Sequence, residues 1–154
     1  EQLFTALTQL APAEIPALAL LQRAVEIKCN IVAIDPTEQA ERKLLNFGHT
    51  LGHAIENMYE LSHGQAISIG MTYASIISQQ LKGFTGTDFI VELLTRYGLP
   101  TLAEFDTKKA FRILQKDKKK ANAGMQYVLL SKIGKGVYET IPMKTLQKLI
   151  KLYS

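Results

Sequence analysis

The chain is 154 residues long, 47% hydrophobic and 21% charged, with 18 basic against 14 acidic residues. Those proportions fit one globular domain with its own core and exclude a disordered or fibrous chain. The lone cysteine, Cys29, excludes an internal disulfide and points to a reducing, cytoplasmic compartment, while no apolar run approaches the roughly 18 residues of a membrane span.

Most of the sequence reads as helix. Leu3, Leu7 and Leu10 share one helical face, and Pro12 closes that segment. Pro16 fits the first turn of a second helix, whose apolar positions run through Leu18, Leu21 and Val25 toward Lys28. Asp35-Pro36-Thr37 reads as a turn that starts a helix from about Glu38, carrying Leu44, Leu45, Phe47 and Leu51 inward. Ser62 to Gly64 marks a further start, and an apolar helix follows from Ala66 to Leu81. Asp88 reads as the cap of a helix running to Tyr97, which Gly98-Leu99-Pro100 ends. Thr107 opens a helix through Leu114 that runs into the charged stretch Gln115 to Lys120. Tyr127 to Ser131 and Val137 to Ile141 are strand-like and joined across Ile133 to Gly136, which predicts a short β-hairpin. Pro142 precedes a last amphipathic helix, Thr145 to Leu152. The fold class is therefore mainly α, one domain of several helices with a single hairpin.

Charge is unevenly spread. Residues 1–104 carry 6 Lys/Arg and 11 Asp/Glu, whereas residues 105–154 carry 12 and 3. A block of that sign suits an anionic partner, although a solvated helix face explains most of its lysines. Nucleic acid is not indicated, because the basic block lacks interleaved aromatics and any reading motif. No Gly-rich loop follows a strand, so the chain shows no nucleotide-binding unit of its own.

All three histidines, His49, His53 and His63, fall within fifteen positions. His49 and His53 are spaced i, i+4, so a helix presents both imidazoles on one face, as zinc-binding helices do. Thr50 stands where a metalloprotease carries its general-base Glu, which disfavours peptide hydrolysis. The pair takes either Glu56, three residues after His53, or His63 as a further ligand. Arg42 and Asn46, two turns and one turn earlier, add a forked cationic donor and a neutral amide. Gly48 and Gly52 each cost about 1 kcal/mol relative to Ala in a helix, so their presence points to close approach by another helix or a ligand.

The segment from Arg42 to Glu56, with Asn46-Phe47-Gly48-His49-Thr50-Leu51-Gly52-His53 at its centre, closely resembles the signature of 3-dehydroquinate synthase. So do His63 to Met71, and Asp117-Lys118-Lys119 followed by Val128-Leu129-Leu130 and Ile133-Gly134. The wider sugar-phosphate cyclase group, including 2-deoxy-scyllo-inosose synthase, shares much of the pattern.

The resemblance implies the C-terminal helical domain of a phosphate-eliminating lyase of the shikimate pathway. That family makes 3-dehydroquinate from 3-deoxy-D-arabino-heptulosonate 7-phosphate with NAD and a divalent metal, usually zinc. It implies metal binding by His49 and His63, a substrate-site role for His53, and substrate-binding or catalytic roles for Lys28, Glu38, Arg42 and Asn46. A lysine of the Asp-Lys-Lys element, Lys118 or Lys119, contacts the substrate in this reading. The family's third metal ligand is a Glu in a Glu-x-x-Lys segment that lies just before a Leu-Phe pair like Leu3-Phe4. That segment and the N-terminal NAD-binding α/β domain are not in this sequence, which starts at Glu1. The expectation is an isolated metal- and substrate-binding domain that is inactive alone, binds zinc weakly, and belongs to a homodimer at full length. The competing expectations are another cyclase, or a non-catalytic helical metal-binding module using His49, His53 and Glu56.

Overall fold

The computed structural model describes residues 2–9, 12–14, 17–116 and 124–153. Among these, seven α-helices and one antiparallel hairpin follow in the order α1 (Gln2–Gln9), α2 (Ala17–Ile34), α3 (His49–Glu56), α4 (His63–Lys82), α5 (Thr87–Arg96), α6 (Thr107–Lys116), β1 (Met125–Lys132), β2 (Lys135–Ile141) and α7 (Met143–Leu152). Leu10 and Pro16 lie outside the described residues, as do Lys118 and Lys119.

The core is built around α4. Ala66, Ile69, Tyr73, Ala74 and Ile77 form its buried stripe, at the spacing an amphipathic helix requires. Leu51 and Ile55 of α3, Phe111 and Leu114 of α6, and Leu146 and Ile150 of α7 pack into the same cluster. Ser62 caps α4: its side chain accepts the Gln65 N–H, and the Gln65 side-chain oxygen accepts the Ser62 N–H at 3.0 Å. That reciprocal pair satisfies two donors the first helical turn leaves unpaired. Gly83, at φ 66°, ends the helix in the left-handed conformation.

The hairpin lies across α4. Met125, Tyr127 and Leu129 alternate into the core, and the opposite face carries Gln126 and Val128. Val128 pairs with Tyr138 and Gln126 with Thr140, so Tyr138 shares that second face. The strands run longer than their sequence signals suggested, because Lys135 and Gly136 still pair and only Ile133 and Gly134 turn. Gly134 takes the positive φ of 78° that the tight turn needs.

Three expectations need correction. The helix expected from Glu38 does not exist as one unit: residues Glu41–Asn46 form a 3₁₀ turn, Gly48 breaks the path at φ 81°, and α3 starts at His49. Two tertiary constraints impose the break. The buried Asp35 carboxylate accepts backbone N–H groups from Gln39, Ala40 and Arg42 at 2.9, 2.7 and 3.1 Å, which fixes the chain entering the turn. Gly48 itself lies so close to α4 that a Cβ would come within 2.7 Å of the Met71 Cγ and backbone nitrogen.

Asp88 is not a cap. Gly86 holds that position without a side-chain hydrogen bond, and Asp88 sits in the first turn, where its charge still complements the helix dipole. The last helix begins at Met143, directly after Pro142, rather than at Thr145. The apolar row of α2 points outward, with Leu18, Leu21 and Val25 exposed.

Candidate metal centre

The crossing of α3 and α4 builds the site. Gly48 and Gly52 face Met71, Ile67 and Ala66, and a Cβ on Gly70 would strike the Gly48 carbonyl oxygen. The glycines flagged in the sequence therefore serve a helix–helix approach rather than a ligand. That approach sets His63, the first residue of α4, opposite His49 and His53 on α3.

The three imidazoles converge. Their ring centroids are separated by 5.3 Å (His49–His53), 5.6 Å (His49–His63) and 5.7 Å (His53–His63). One nitrogen from each lies within 4.8 Å of the others. His49 donates from Nδ1 to the Phe47 carbonyl at 3.2 Å, which leaves Nε2 with its lone pair. His63 Nδ1 faces the Glu56 carboxylate at 3.2 Å and is held the same way. Glu56 therefore does not enter the converging set as the alternative ligand considered from sequence; its carboxylate backs a histidine. Burial holds the His49 pKa below the usual histidine value, and the neighbouring His53 and His63 push the same way against the Phe47 carbonyl and Glu56. A neutral imidazole is the form that binds a metal.

Beside the histidines lies a cavity of about 270 Å³, lined by Asn46, His49, Thr50, His53, Gln126, Val128 and Tyr138. Asn46 reaches it from the end of the 3₁₀ turn, with its side-chain N–H held by the Glu38 carboxylate at 2.6 Å. Glu38 adopts φ 57°, a left-handed conformation that side chains other than glycine rarely take. Arg42 is half-buried and donates to the Pro36 carbonyl at 2.7 Å, and it is not among the residues lining the cavity. Lys28 is exposed on α2 and does not line it either.

Sequence reasoning missed the hairpin wall. Tyr138 donates its hydroxyl hydrogen to Gln126 Oε1, Lys43 Nζ stands 4.8 Å from the centre of its ring, and Thr50 Oγ1 donates to the Gln126 carbonyl at 3.1 Å. Strand alternation places Gln126 and Val128 on one face, but nothing local says that this face closes on residues eighty positions earlier.

The family described as 3-dehydroquinate synthase C-terminal matches residues 1–120. A protein named 3-dehydroquinate synthase from Methylacidiphilum infernorum is 43% identical over 124 residues, which cover 76% of this chain and 35% of that protein. The chain thus spans little more than a third of the length of the curated relatives it matches. In structure it is similar to a 2-epi-5-epi-valiolone synthase from Streptomyces hygroscopicus with NAD+ and Zn2+ bound, at a TM-score of 0.74 and 23% identity over 88% of this chain and 39% of the other. A 2-deoxy-scyllo-inosose synthase complexed with carbaglucose-6-phosphate, NAD+ and Co2+ gives a TM-score of 0.75 at the same identity, over 88% and 41%. At that identity the two structures carry the fold, and the sequence matches carry the assignment: the chain belongs to the 3-dehydroquinate synthase family and corresponds to its C-terminal region.

Proposed function

We propose that this chain is the metal- and substrate-binding part of an enzyme that converts 3-deoxy-D-arabino-heptulosonate 7-phosphate to 3-dehydroquinate and phosphate. The observation that carries the reading is the convergence of His49 and His63 beside Asn46 in a chain of this family. A divalent metal on those histidines would act as a Lewis acid on a substrate hydroxyl. The donor set, imidazoles without a thiolate, suits Zn2+ or Co2+.

The chain's own residues do the remaining work in this reading. Phe47 and Glu56 hold His49 and His63 by Nδ1, so each presents Nε2. Glu38 fixes the Asn46 amide at the cavity, where it orients a sugar oxygen. Arg42, Lys28 and Lys118 or Lys119 supply cationic donors for the carboxylate and phosphate of the substrate. Arg42 must first leave the Pro36 carbonyl to do so. His53 borders the same cavity, where the resemblance gives it to the substrate. NAD falls to the N-terminal part of the longer relatives, which also supplies the rest of the active site, and the whole enzyme works as a cytoplasmic homodimer. A different cyclase activity is the less favoured reading, because 43% identity ties the chain to a 3-dehydroquinate synthase and only 23% to either cyclase structure.

The test supplies the purified chain with the N-terminal part of the Methylacidiphilum relative, NAD, zinc and the heptulosonate phosphate, and follows phosphate release. Turnover is expected only when both parts are present, and is lost in His49→Ala and His63→Ala. Robust turnover by the 154-residue chain alone, or preference for a hexose 6-phosphate, would overturn the reading.

A further inference from the structure

We infer that the outward face of α2, formed by Leu18, Leu21, Val25 and Cys29, is the surface on which the N-terminal part of the longer family proteins docks. This rests on the two-part enzyme proposed above and adds the helix through which the parts join.

α2 is apolar on two opposite faces. Leu20, Ile27 and Ile31 are half-buried, and the helix packs chiefly on the 3₁₀ turn of Glu41–Asn46. Leu18, Leu21 and Val25 follow at i, i+3 and i+7 on the other side and are 70%, 60% and 51% exposed. Cys29, four residues after Val25, continues that stripe as a free, exposed thiol. The charged pair Arg23–Glu26, at 3.1 Å, occupies a flank and leaves the stripe uncovered. A surface helix with one packed face carries polar residues on the other, whereas a helix apolar on both belongs in an interior. Contiguous exposed apolar surface marks an interaction site.

Two observations select the occupant. The matched stretch makes up only 35% and 37% of two of the relatives, and it is the C-terminal region of the family, so the rest of those proteins precedes it. A second copy of this chain, by contrast, fits the stripe poorly. The next position in the series is Lys28, three residues after Val25. Parallel pairing of two copies would set lysine against lysine, and antiparallel pairing would set each lysine against Leu18 of the other copy. Either arrangement takes an ammonium group out of water without a partner. A non-identical partner meets Lys28 with an acidic group or leaves it at a wet rim. Lys28 then stands in the seam between the two parts, which gives this exposed lysine a route to a substrate held between them.

The test compares Cys29 in the whole 154-residue chain and in the same chain joined behind the N-terminal part of the Methylacidiphilum relative, with circular dichroism and NAD binding as folding controls. Alkylation of Cys29 by N-ethylmaleimide, followed by peptide mass spectrometry, should be at least tenfold slower in the joined chain. Leu21→Asp and Val25→Asp should leave the 154-residue chain folded and restore fast alkylation in the joined one. As a second measurement, in the two-part turnover assay the same variants should raise at least tenfold the chain concentration that gives half-maximal rate, with the maximal rate unchanged. Equal alkylation in the two forms, or variants that assemble as wild type does, would overturn the inference. So would light scattering that shows the 154-residue chain as a dimer which Val25→Asp converts to monomer, since the face would then join two copies. A joined chain that protects Cys29 but releases no phosphate from the heptulosonate phosphate upholds the docking face and overturns the proposed function; turnover with fast alkylation does the reverse.

Discussion

Asp35 is buried with three backbone N–H groups directed at its carboxylate, and those bonds hold its pKa below the usual carboxylate range. The unfolded chain therefore binds a proton more readily than the folded one. The stability this group supplies is present above pH 3.8 and is lost as pH falls through the lowered folded value. Asp35→Asn, which offers a single neutral acceptor oxygen, should lower the denaturant midpoint at pH 7 and flatten the acid limb of the stability curve. An unchanged acid limb would remove Asp35 from the account. Tyr127 is the opposite case, since its buried hydroxyl has no hydrogen-bond partner among the described residues. Burial pushes that phenol far above its usual pKa. Tyr127→Phe should leave the protein as stable as wild type or more stable by about 1 kcal/mol, measured by urea unfolding, because it deletes an unsatisfied polar atom and keeps the ring. The residue scale was well read from sequence where chemistry is local. His49, His53 and Asn46 are within eight positions of one another, and i, i+4 spacing on a real helix put the two histidines on one face. Arg42 was expected on that same face, but the backbone between it and His49 is not an α-helix, and its guanidinium turns to Pro36.

At the scale of elements, the crossing of α3 over α4 decides whether the site forms. Gly48 combines a left-handed backbone with contact to Met71 and Ile67, and Gly70 meets it from the other helix. Gly48→Ala should cost about 2–4 kcal/mol, the sum of a left-handed alanine and of overpacking, and should splay His63 from α3. Urea unfolding measures the first effect, and loss of Co(II) binding the second; a variant that unfolds as wild type would refute the packing argument. Periodicity revealed α4, α6, the hairpin and α7, because each carries its apolar pattern within one stretch of chain. The segment from Glu38 to His49 was misread as helix for a physical reason. Its conformation is set by Asp35 on one side and by α4 on the other, and neither is a property of the segment itself. Similarly, the hairpin was legible but its docking was not, so Gln126 and Tyr138 escaped notice.

Over the whole molecule, the excess positive charge of residues 105–154 is carried in part by α6 and α7, where Lys108, Lys109, Lys144, Lys148 and Lys151 are exposed. None of these lines the histidine cavity, so among the described residues the charge asymmetry marks solvated faces rather than a substrate site. Lys118 and Lys119 lie outside the described residues, and their substrate role rests on the resemblance. Among the described residues, no helix is long and apolar enough to cross a membrane. What organises the molecule is the packing of α3, α4 and the hairpin, which brings histidines from two helices together, with His49 and His53 of α3 lining one cavity. X-ray absorption at the zinc edge of the zinc-loaded chain tests that claim most directly. The account predicts a first shell of nitrogen at about 2.0–2.1 Å with the outer-shell scattering of imidazole rings. A shell containing sulfur from Cys29, or oxygen ligands without imidazole, would contradict it.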